Sequence, residues 1–221
     1  MSELATLNKS LSFLAAFAVV GALLAMAFLL VENQGKLQEG ALKVRKRATA
    51  FAGAWLVASV LNIFLTLANI LGTSFADALE RNTLRSFLTQ VDLGQYLGVQ
   101  TAMIAVIALA IRFVRTVLAA TILLLFSLIT LTIPVFQSHS ASSGSHQLAI
   151  GSLVVHVVAL SLWVGGIFAI VALPDSDRKF ALPRFSQMAL WTAIAVVISG
   201  IANAWARLNF IDAWSSGYAR I

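Results

Sequence analysis

The sequence predicts an all-α protein, a multi-pass transmembrane helix bundle with six spans and one helix at the membrane interface. The composition supports this prediction, because 60% of the 221 residues are hydrophobic and only 11% are charged. An average soluble domain has about 45–50% apolar and about 25% charged residues. A water-soluble chain with so few charges would lack the polar residues that must cover its surface, so a soluble domain is excluded.

Crossing the hydrocarbon core of a bilayer takes roughly 20 apolar residues in a helix. Six stretches meet this requirement, at about 11–31, 49–71, 96–111, 116–135, 147–173 and 186–205. The first stretch is longer than the apolar core of a signal peptide and lacks a small-x-small cleavage site, so we expect it to stay in the protein. Residues 1–221 are predicted to form a single membrane domain.

The segment 72–91, between the second and third spans, has an amphipathic pattern. Apolar residues at helical spacing occupy one side, and charged residues occupy the other. The apolar residues are Phe75, Leu79, Leu84, Phe87, Leu88 and Val91, and the charged ones are Asp77, Glu80, Arg81 and Arg85. This pattern predicts a helix that either lies in the membrane interface or packs on the bundle as an ordinary loop helix.

Lysine and arginine are distributed unevenly between alternate loops. The loops on the side of the Arg45–Arg47 cluster carry ten of them, whereas the other side carries five, with none in the loop 136–146. Because cytoplasmic loops are enriched in these residues, the Arg45–Arg47 loop is predicted to be cytoplasmic in a plasma (inner) membrane protein. The N-terminus and the His139–His146 loop are then extracytoplasmic. The net charge of +6 is explained in this way, without a nucleic-acid partner.

Cysteine labelling tests this orientation directly, because the chain has no native cysteine. We expect a cysteine placed at Ser142 to react with a membrane-impermeant probe in intact cells. A cysteine placed at Lys46 is the matched control and should react only after the membrane is permeabilised. The reverse labelling pattern would show that the predicted orientation is wrong.

The same composition excludes several kinds of chemistry. Without cysteine there is no disulfide and no thiolate zinc site, and none of the common nucleotide-binding, nucleophile-elbow or zinc-protease motifs occurs. We therefore predict that the protein is not an enzyme. No aspartate or glutamate lies in the middle of a span, which argues against a carboxylate proton relay. Asn62 and Asn69 in the second span either line a pathway or form hydrogen bonds between helices.

The three histidines, His139, His146 and His156, fall within 18 positions of one another. His156 lies about 15 Å farther along the fifth span than His146, so these two side chains do not hold one ion together. An imidazole near mid-membrane either bonds to a neighbouring helix or binds copper, zinc or haem iron. His139 and His146, in the loop, are either ligands or solvated side chains.

Trp163, Gly165 and Gly166 follow His156 on the same predicted helix. Trp163 follows His156 by seven residues, and seven residues complete two helical turns to within about 20°. His156 and Trp163 therefore lie on the same face of the helix. The glycine pair permits another helix to approach closely. A packing role would by itself explain these three residues.

The order of these features resembles the copper resistance protein D (CopD) family. The resemblance is carried by the histidine after the fourth span, by His156-Val-Val-Ala-Leu-Ser-Leu-Trp163-Val-Gly165-Gly166, by Arg184-Phe185-Ser186 after a basic loop, by Ser199-Gly200, and by Gly217-Tyr218-Ala-Arg220. It covers roughly residues 135–221 well and the first four spans only in general layout.

This resemblance implies a multi-pass inner-membrane protein that handles copper by uptake, with His156 and His139 as the metal-handling residues. It also implies about eight spans, so we expect this chain to be the N-terminal part of a longer domain. The expected partners are copper, the lipid bilayer and a periplasmic or extracellular copper-binding protein.

Thioethers agree with the copper interpretation, because reduced copper favours soft sulfur ligands alongside imidazole. Met103 is predicted at a depth similar to that of His156, and Met26 and Met188 nearer the cytoplasmic side. Met103 and His146 are therefore possible additional ligands, although methionine in a span usually serves packing.

Two alternative functions remain open from the sequence. In the first alternative, the protein is a b-type haem protein with His139 and His156 as axial ligands. In the second, it is an oxidase-assembly subunit with no site of its own. A haem protein has a Soret absorption band and a copper(I) site has none, so an optical spectrum separates the first alternative from copper binding.

Overall fold

The computed structural model describes residues 2–30, 35, 37, 39–72, 80–137 and 146–207, and the regular elements of this part are helices. Helix α1 spans Ser2–Leu24 and continues as a π-helical turn over Ala25–Leu29, α2 spans Glu39–Leu71, and α3 spans Arg81–Gln90. Helix α4 spans Asp92–Ala110 and ends in a 3-10 turn over Ile111–Phe113, and α5 spans Val117–Thr132 and ends in a 3-10 turn over Ile133–Gln137. Helix α6 spans His146–Ala172, and α7 spans Asp175–Arg207.

Six of these helices, α1, α2, α4, α5, α6 and α7, are long and apolar enough to cross a membrane. The predicted all-α bundle with six spans is thereby confirmed. Three helices begin earlier than the apolar stretches indicated, since α1 begins at Ser2 rather than near 11, α2 at Glu39 rather than near 49, and α7 at Asp175 rather than near 186. The reason is that hydropathy marks only the part of a helix suited to hydrocarbon, whereas charged residues such as lysine and arginine continue a helix readily.

Four helices, α1, α2, α4 and α5, pack in a ring in which each contacts the next. Helix α6 packs on the outside of α1, and α7 packs on α6 and on the π-helical turn of α1. The end of the bundle at which α2, α5 and α7 begin is called here the basic end. The pair α6 and α7 is therefore peripheral to the ring.

The interior of the ring is apolar where α1 approaches the basic end. Its largest fully buried side chains include Leu23, Met26, Trp55, Ile104 and Ile107. Because lipid is as apolar as these side chains, their close packing rather than a hydrophobic driving force holds the helices together.

Helices α1 and α6 cross at a glycine on each side. A Cβ atom at Gly21 would overlap the carbonyl oxygen of Gly165, and a Cβ at Gly165 would lie 2.9 Å from the backbone nitrogen of Gly21. No larger residue fits this crossing without moving a backbone, so the glycine pair sets how closely α6 approaches the ring.

Polar contacts join the helices of the ring toward the opposite end. The Asn8 side-chain amide donates to the carbonyl oxygen of Ala58 at 2.9 Å, and the Ser59 and Thr101 hydroxyls lie 2.7 Å apart. Asn62 and Asn69 make no such contact within the described residues. The Asn62 Oδ1 atom is buried without a hydrogen-bond partner there, and Asn69 is exposed on the surface of the bundle.

Helix α3 packs on the ends of α2 and α4. Phe87 is 3% exposed and lies in a cluster with Ile63, Leu67 and Leu97, whereas Arg81 and Arg85 on the other face are exposed. Of the segment predicted to be amphipathic, residues 81–90 are thus a helix packed on the bundle, and residues 73–79 lie outside the described part.

Arginines bond to the carbonyl groups with which α1, α4 and α6 terminate at the basic end. Arg45 donates to Val114 O and Arg47 to Ala172 O, both at 2.8 Å, and Arg184 donates to Leu29 O at 3.0 Å. Arg178 donates to Ile170 O at 3.0 Å and to Leu173 O at 2.7 Å. Helix C-termini leave such carbonyls unpaired and carry partial negative charge, so these cations stabilise them.

Candidate metal site

His156 lies between the two peripheral helices, about a third of the way along the span Leu148–Ala172. Its Nδ1 atom is 3.1 Å from the carbonyl oxygen of Val196 and 3.2 Å from the hydroxyl oxygen of Ser199, both on α7. His156 and Gly165 are nine residues apart, so they lie on opposite faces of α6, about 180° apart around the helix axis. His156 therefore points away from α1 and the ring, toward the α6–α7 seam.

The neighbours of Nδ1 determine which ring nitrogen carries the proton. The Ser199 hydroxyl donates its own hydrogen to backbone carbonyl oxygens of α7, that of Ala195 at 2.5 Å and that of Val196 at 3.1 Å, so it faces Nδ1 as an acceptor. The Val196 carbonyl oxygen is also only an acceptor. A neutral His156 consequently carries its hydrogen on Nδ1 and donates it to α7, which leaves the lone pair on Nε2.

The Nε2 atom has no hydrogen-bond partner among the described residues, and the His156 side chain is half-buried. Histidines that bind metals usually donate their other N–H to a carbonyl oxygen or a carboxylate, which holds the ring in place and makes the free nitrogen a better ligand. The Val196 and Ser199 contacts give His156 this arrangement.

The residues that follow His156 on α6 pack against α1 and α7. Gly165 contacts α1 at the glycine crossing, and a Cβ at Gly166 would overlap the ring of Phe185 on α7. Trp163 is partly buried against the main core cluster. These contacts position α6 between its two neighbours and so fix where His156 meets α7.

The two loop histidines cannot be placed against this site. His139 lies outside the described residues. His146 is the first residue of α6, and its side chain lies outside the described part of the structure. Ten residues of helix separate His146 from His156, which corresponds to about 15 Å along the axis.

Met103 is half-buried on α4, whose main neighbours are α2, α3 and α5. The main neighbours of α6 are α1 and α7 together with α5. Met103 and His156 therefore lie on helices that are not main neighbours of each other. Met26 is fully buried, and Met188 is partly buried against the core cluster.

Among the described residues, no three histidine or acidic side chains come together as a group able to hold a metal ion. His156 is thus a single imidazole donor in this part of the chain. A metal ion at Nε2 would need further ligands, such as thioethers, a loop histidine or groups of a partner.

Ser199 and Val196 are functional candidates that sequence reasoning did not assign to the site. The Ser199-Gly200 pair carried a signal, because a serine followed by glycine in an apolar span permits a polar contact and a close approach. A Cβ at Gly200 would lie 3.6 Å from the His156 Cε1 atom, so the imidazole lies directly against this pair. The Val196 carbonyl gave no signal, since a backbone acceptor does not depend on residue type.

One comparison with known proteins gave a match. A family model described as copper resistance protein D-like, N-terminal domain, matches residues 1–150. No match was found among curated proteins or among solved structures. The matched residues contain the ring of four helices and the start of α6, whereas His156 and the α6–α7 seam lie beyond them.

Proposed function

This chain belongs to the copper resistance protein D-like family, and on that basis we propose that it transports copper ions across the plasma membrane. It is a multi-pass membrane protein related to copper resistance. The proposal assigns copper the role of cargo, which binds for a time and is then released, and it names His156 as a ligand within the membrane-spanning part.

The observation that carries this proposal is that His156 Nε2 has no hydrogen-bond partner among the described residues, so its lone pair can bind a metal ion. An imidazole that only joined α6 to α7 would need one nitrogen, and Nδ1 already makes both contacts to α7. The second nitrogen remains available in a part of the molecule where unpaired polar groups are costly and therefore rare. Imidazole is a common ligand of copper.

The remaining ligands are proposed from the sequence and from the family resemblance. His139 is assigned to the mouth of the route because it follows the fourth span in the loop that leads to α6. His146 and Met103 are kept as possible additional ligands. We also propose that the N-terminus and the His139–His146 loop are extracytoplasmic, and that a periplasmic or extracellular copper-binding protein delivers the ion to this loop.

The exposed face of α7 also bears on the extent of the domain. Helix α7 exposes large apolar side chains such as Val197, Ile201 and Trp205 along much of its length, on a flank that the other described helices leave uncovered. We propose that further spans of a longer domain cover this flank and supply the missing copper ligands.

The metal and haem content of the purified protein tests the proposed function. After loading with copper(I) under reducing conditions and removal of free metal, we expect the detergent-purified protein to retain copper and to show no Soret band. A Soret band with stoichiometric haem would contradict the proposal and favour a b-type haem protein. Loss of all copper during removal of free metal, with no haem present, would favour an assembly subunit without a site.

A further inference from the structure

A groove of about 570 Å³ lies beside the α6–α7 seam, between these two helices and the π-helical turn of α1. Its walls are mostly apolar and include Phe28 from the π-helical turn, Val158 and Leu162 from α6, and Ala195 from α7. Trp191 at its side is 66% exposed, so the groove opens laterally, toward the region that lipid occupies. Sites for small ligands have volumes of about 300–1,000 Å³, so this groove has room for an apolar chain.

The polar groups that line the groove are placed unevenly. In its middle, the Thr192 hydroxyl donates to the carbonyl oxygens of Met188 and Ala189, both at 3.1 Å, so it is engaged within its own helix. Gln187 lines the groove on the side of the basic end, and its side chain is exposed. The groove is therefore apolar along its length and polar at one end.

Arg184 adds a positive charge at this polar end. It precedes Met188 by four residues and Trp191 by seven, so it lies on the face of α7 that lines the groove. Its guanidinium donates to the carbonyl oxygen of Leu29 at 3.0 Å, and Leu29 directly follows Phe28 in the wall of the groove. The cation thus lies where α7 meets the end of α1.

The depth of Arg184 agrees with a position among lipid headgroups. It precedes the apolar stretch 186–205, which places it at the surface of the membrane rather than in the hydrocarbon. The basic end as a whole carries nine lysines and arginines and three acidic residues in the described part of the chain. Basic sites between transmembrane helices on the cytoplasmic side bind anionic headgroups.

We propose that this groove binds one acyl chain of an anionic phospholipid, and that Arg184 and Gln187 hold the phosphate of its headgroup. An amphiphile matches the groove because its apolar chain fits the apolar walls and its charged head meets the cation at one end. The guanidinium has five N–H donors, so Arg184 can bond to Leu29 and to a phosphate together. The bound lipid would fill the space between α7 and the π-helical turn and so hold α7 against the bundle. This inference does not depend on copper transport.

Binding of matched lipids to the detergent-purified protein tests the inference. Native mass spectrometry counts the bound molecules of phosphatidylglycerol, which is anionic, and of phosphatidylcholine with the same acyl chains, which is zwitterionic. We expect the wild type to retain one phosphatidylglycerol in preference to phosphatidylcholine. In Arg184→Gln the affinity for phosphatidylglycerol should fall by about tenfold while that for phosphatidylcholine stays the same. Arg184→Lys keeps the charge and should keep most of the preference.

Lys179→Gln is the matched control, because it removes an exposed cation from the same end of the same helix. Lys179 lies five residues before Arg184 and so points about 140° away from it around the helix axis. Its replacement should leave the preference unchanged. Equal loss in Lys179→Gln and Arg184→Gln would assign the effect to the general charge of the basic end and overturn the inference.

A second variant tests whether the acyl chain lies in the groove. Ala195→Phe adds a ring where the walls are apolar and should remove the tightly held phosphatidylglycerol, although Arg184 is intact. Unchanged lipid binding in this variant would show that the inference is wrong. Conversion of a wild-type dimer into a monomer, with the bound lipid unaltered, would instead assign the groove to a second copy of the chain.

Discussion

His156→Ala is expected to abolish copper retention and copper transport while the protein remains folded and inserted. The substitution removes the Nε2 lone pair, the proposed copper ligand, together with the two contacts from Nδ1 to Val196 and Ser199. Hydrogen bonds between helices in membranes contribute about 0.6 kcal/mol on average, so losing these contacts should change stability little. Copper content of cells expressing each variant, normalised to the amount of membrane protein, measures the effect.

Three further variants show whether the effect is specific to His156. Ser199→Ala removes one of two acceptors for Nδ1–H and keeps the Val196 carbonyl, so copper affinity should fall by about tenfold. His139→Ala should give a milder defect than His156→Ala, and His146→Ala should be nearly silent. Wild-type copper content in a correctly inserted His156→Ala protein would mean that the imidazole only packs α6 against α7.

Gly21→Ala is expected to be among the most destabilising single substitutions in the ring. The added Cβ would overlap the carbonyl oxygen of Gly165, and a backbone atom cannot rotate away as a side chain can. Forcing extra atoms into a packed site costs typically about 1–3 kcal/mol, and a clash with backbone belongs at the upper end of that range or beyond it. The midpoint of thermal unfolding in detergent and the monodisperse fraction on size exclusion should both fall clearly.

Gly165→Ala should show the same loss to a smaller degree, because its Cβ would lie 2.9 Å from two backbone atoms of α1. Gly151→Ala on the same helix is the matched control. A Cβ there meets nothing within 4 Å, so the higher helix propensity of alanine should leave the unfolding midpoint equal or slightly raised. An unchanged midpoint for Gly21→Ala would show that α1 and α6 do not cross as closely as described.

Several properties of the protein follow from the sequence alone, because they depend on local composition or on helix geometry. Six spans follow from apolar stretches long enough to cross a bilayer. The shared face of His156 and Trp163 follows from the turn per residue of an α-helix, and the Gly165-Gly166 pair indicated a close helix contact. The extensions of α1, α2 and α7 beyond their apolar parts were not predicted, since hydropathy does not report helical hydrogen bonds among polar and charged residues.

The partners of these residues were decided only by the tertiary structure, because the rotation of a helix about its axis and its choice of neighbours depend on pairwise packing. The sequence singled out His156, but only the packing of α7 on α6 places Val196 and Ser199 at Nδ1 and leaves Nε2 without a partner in the described part of the chain. The basic residues predicted an orientation, whereas their role in bonding helix ends required the carbonyls of other helices to lie within reach.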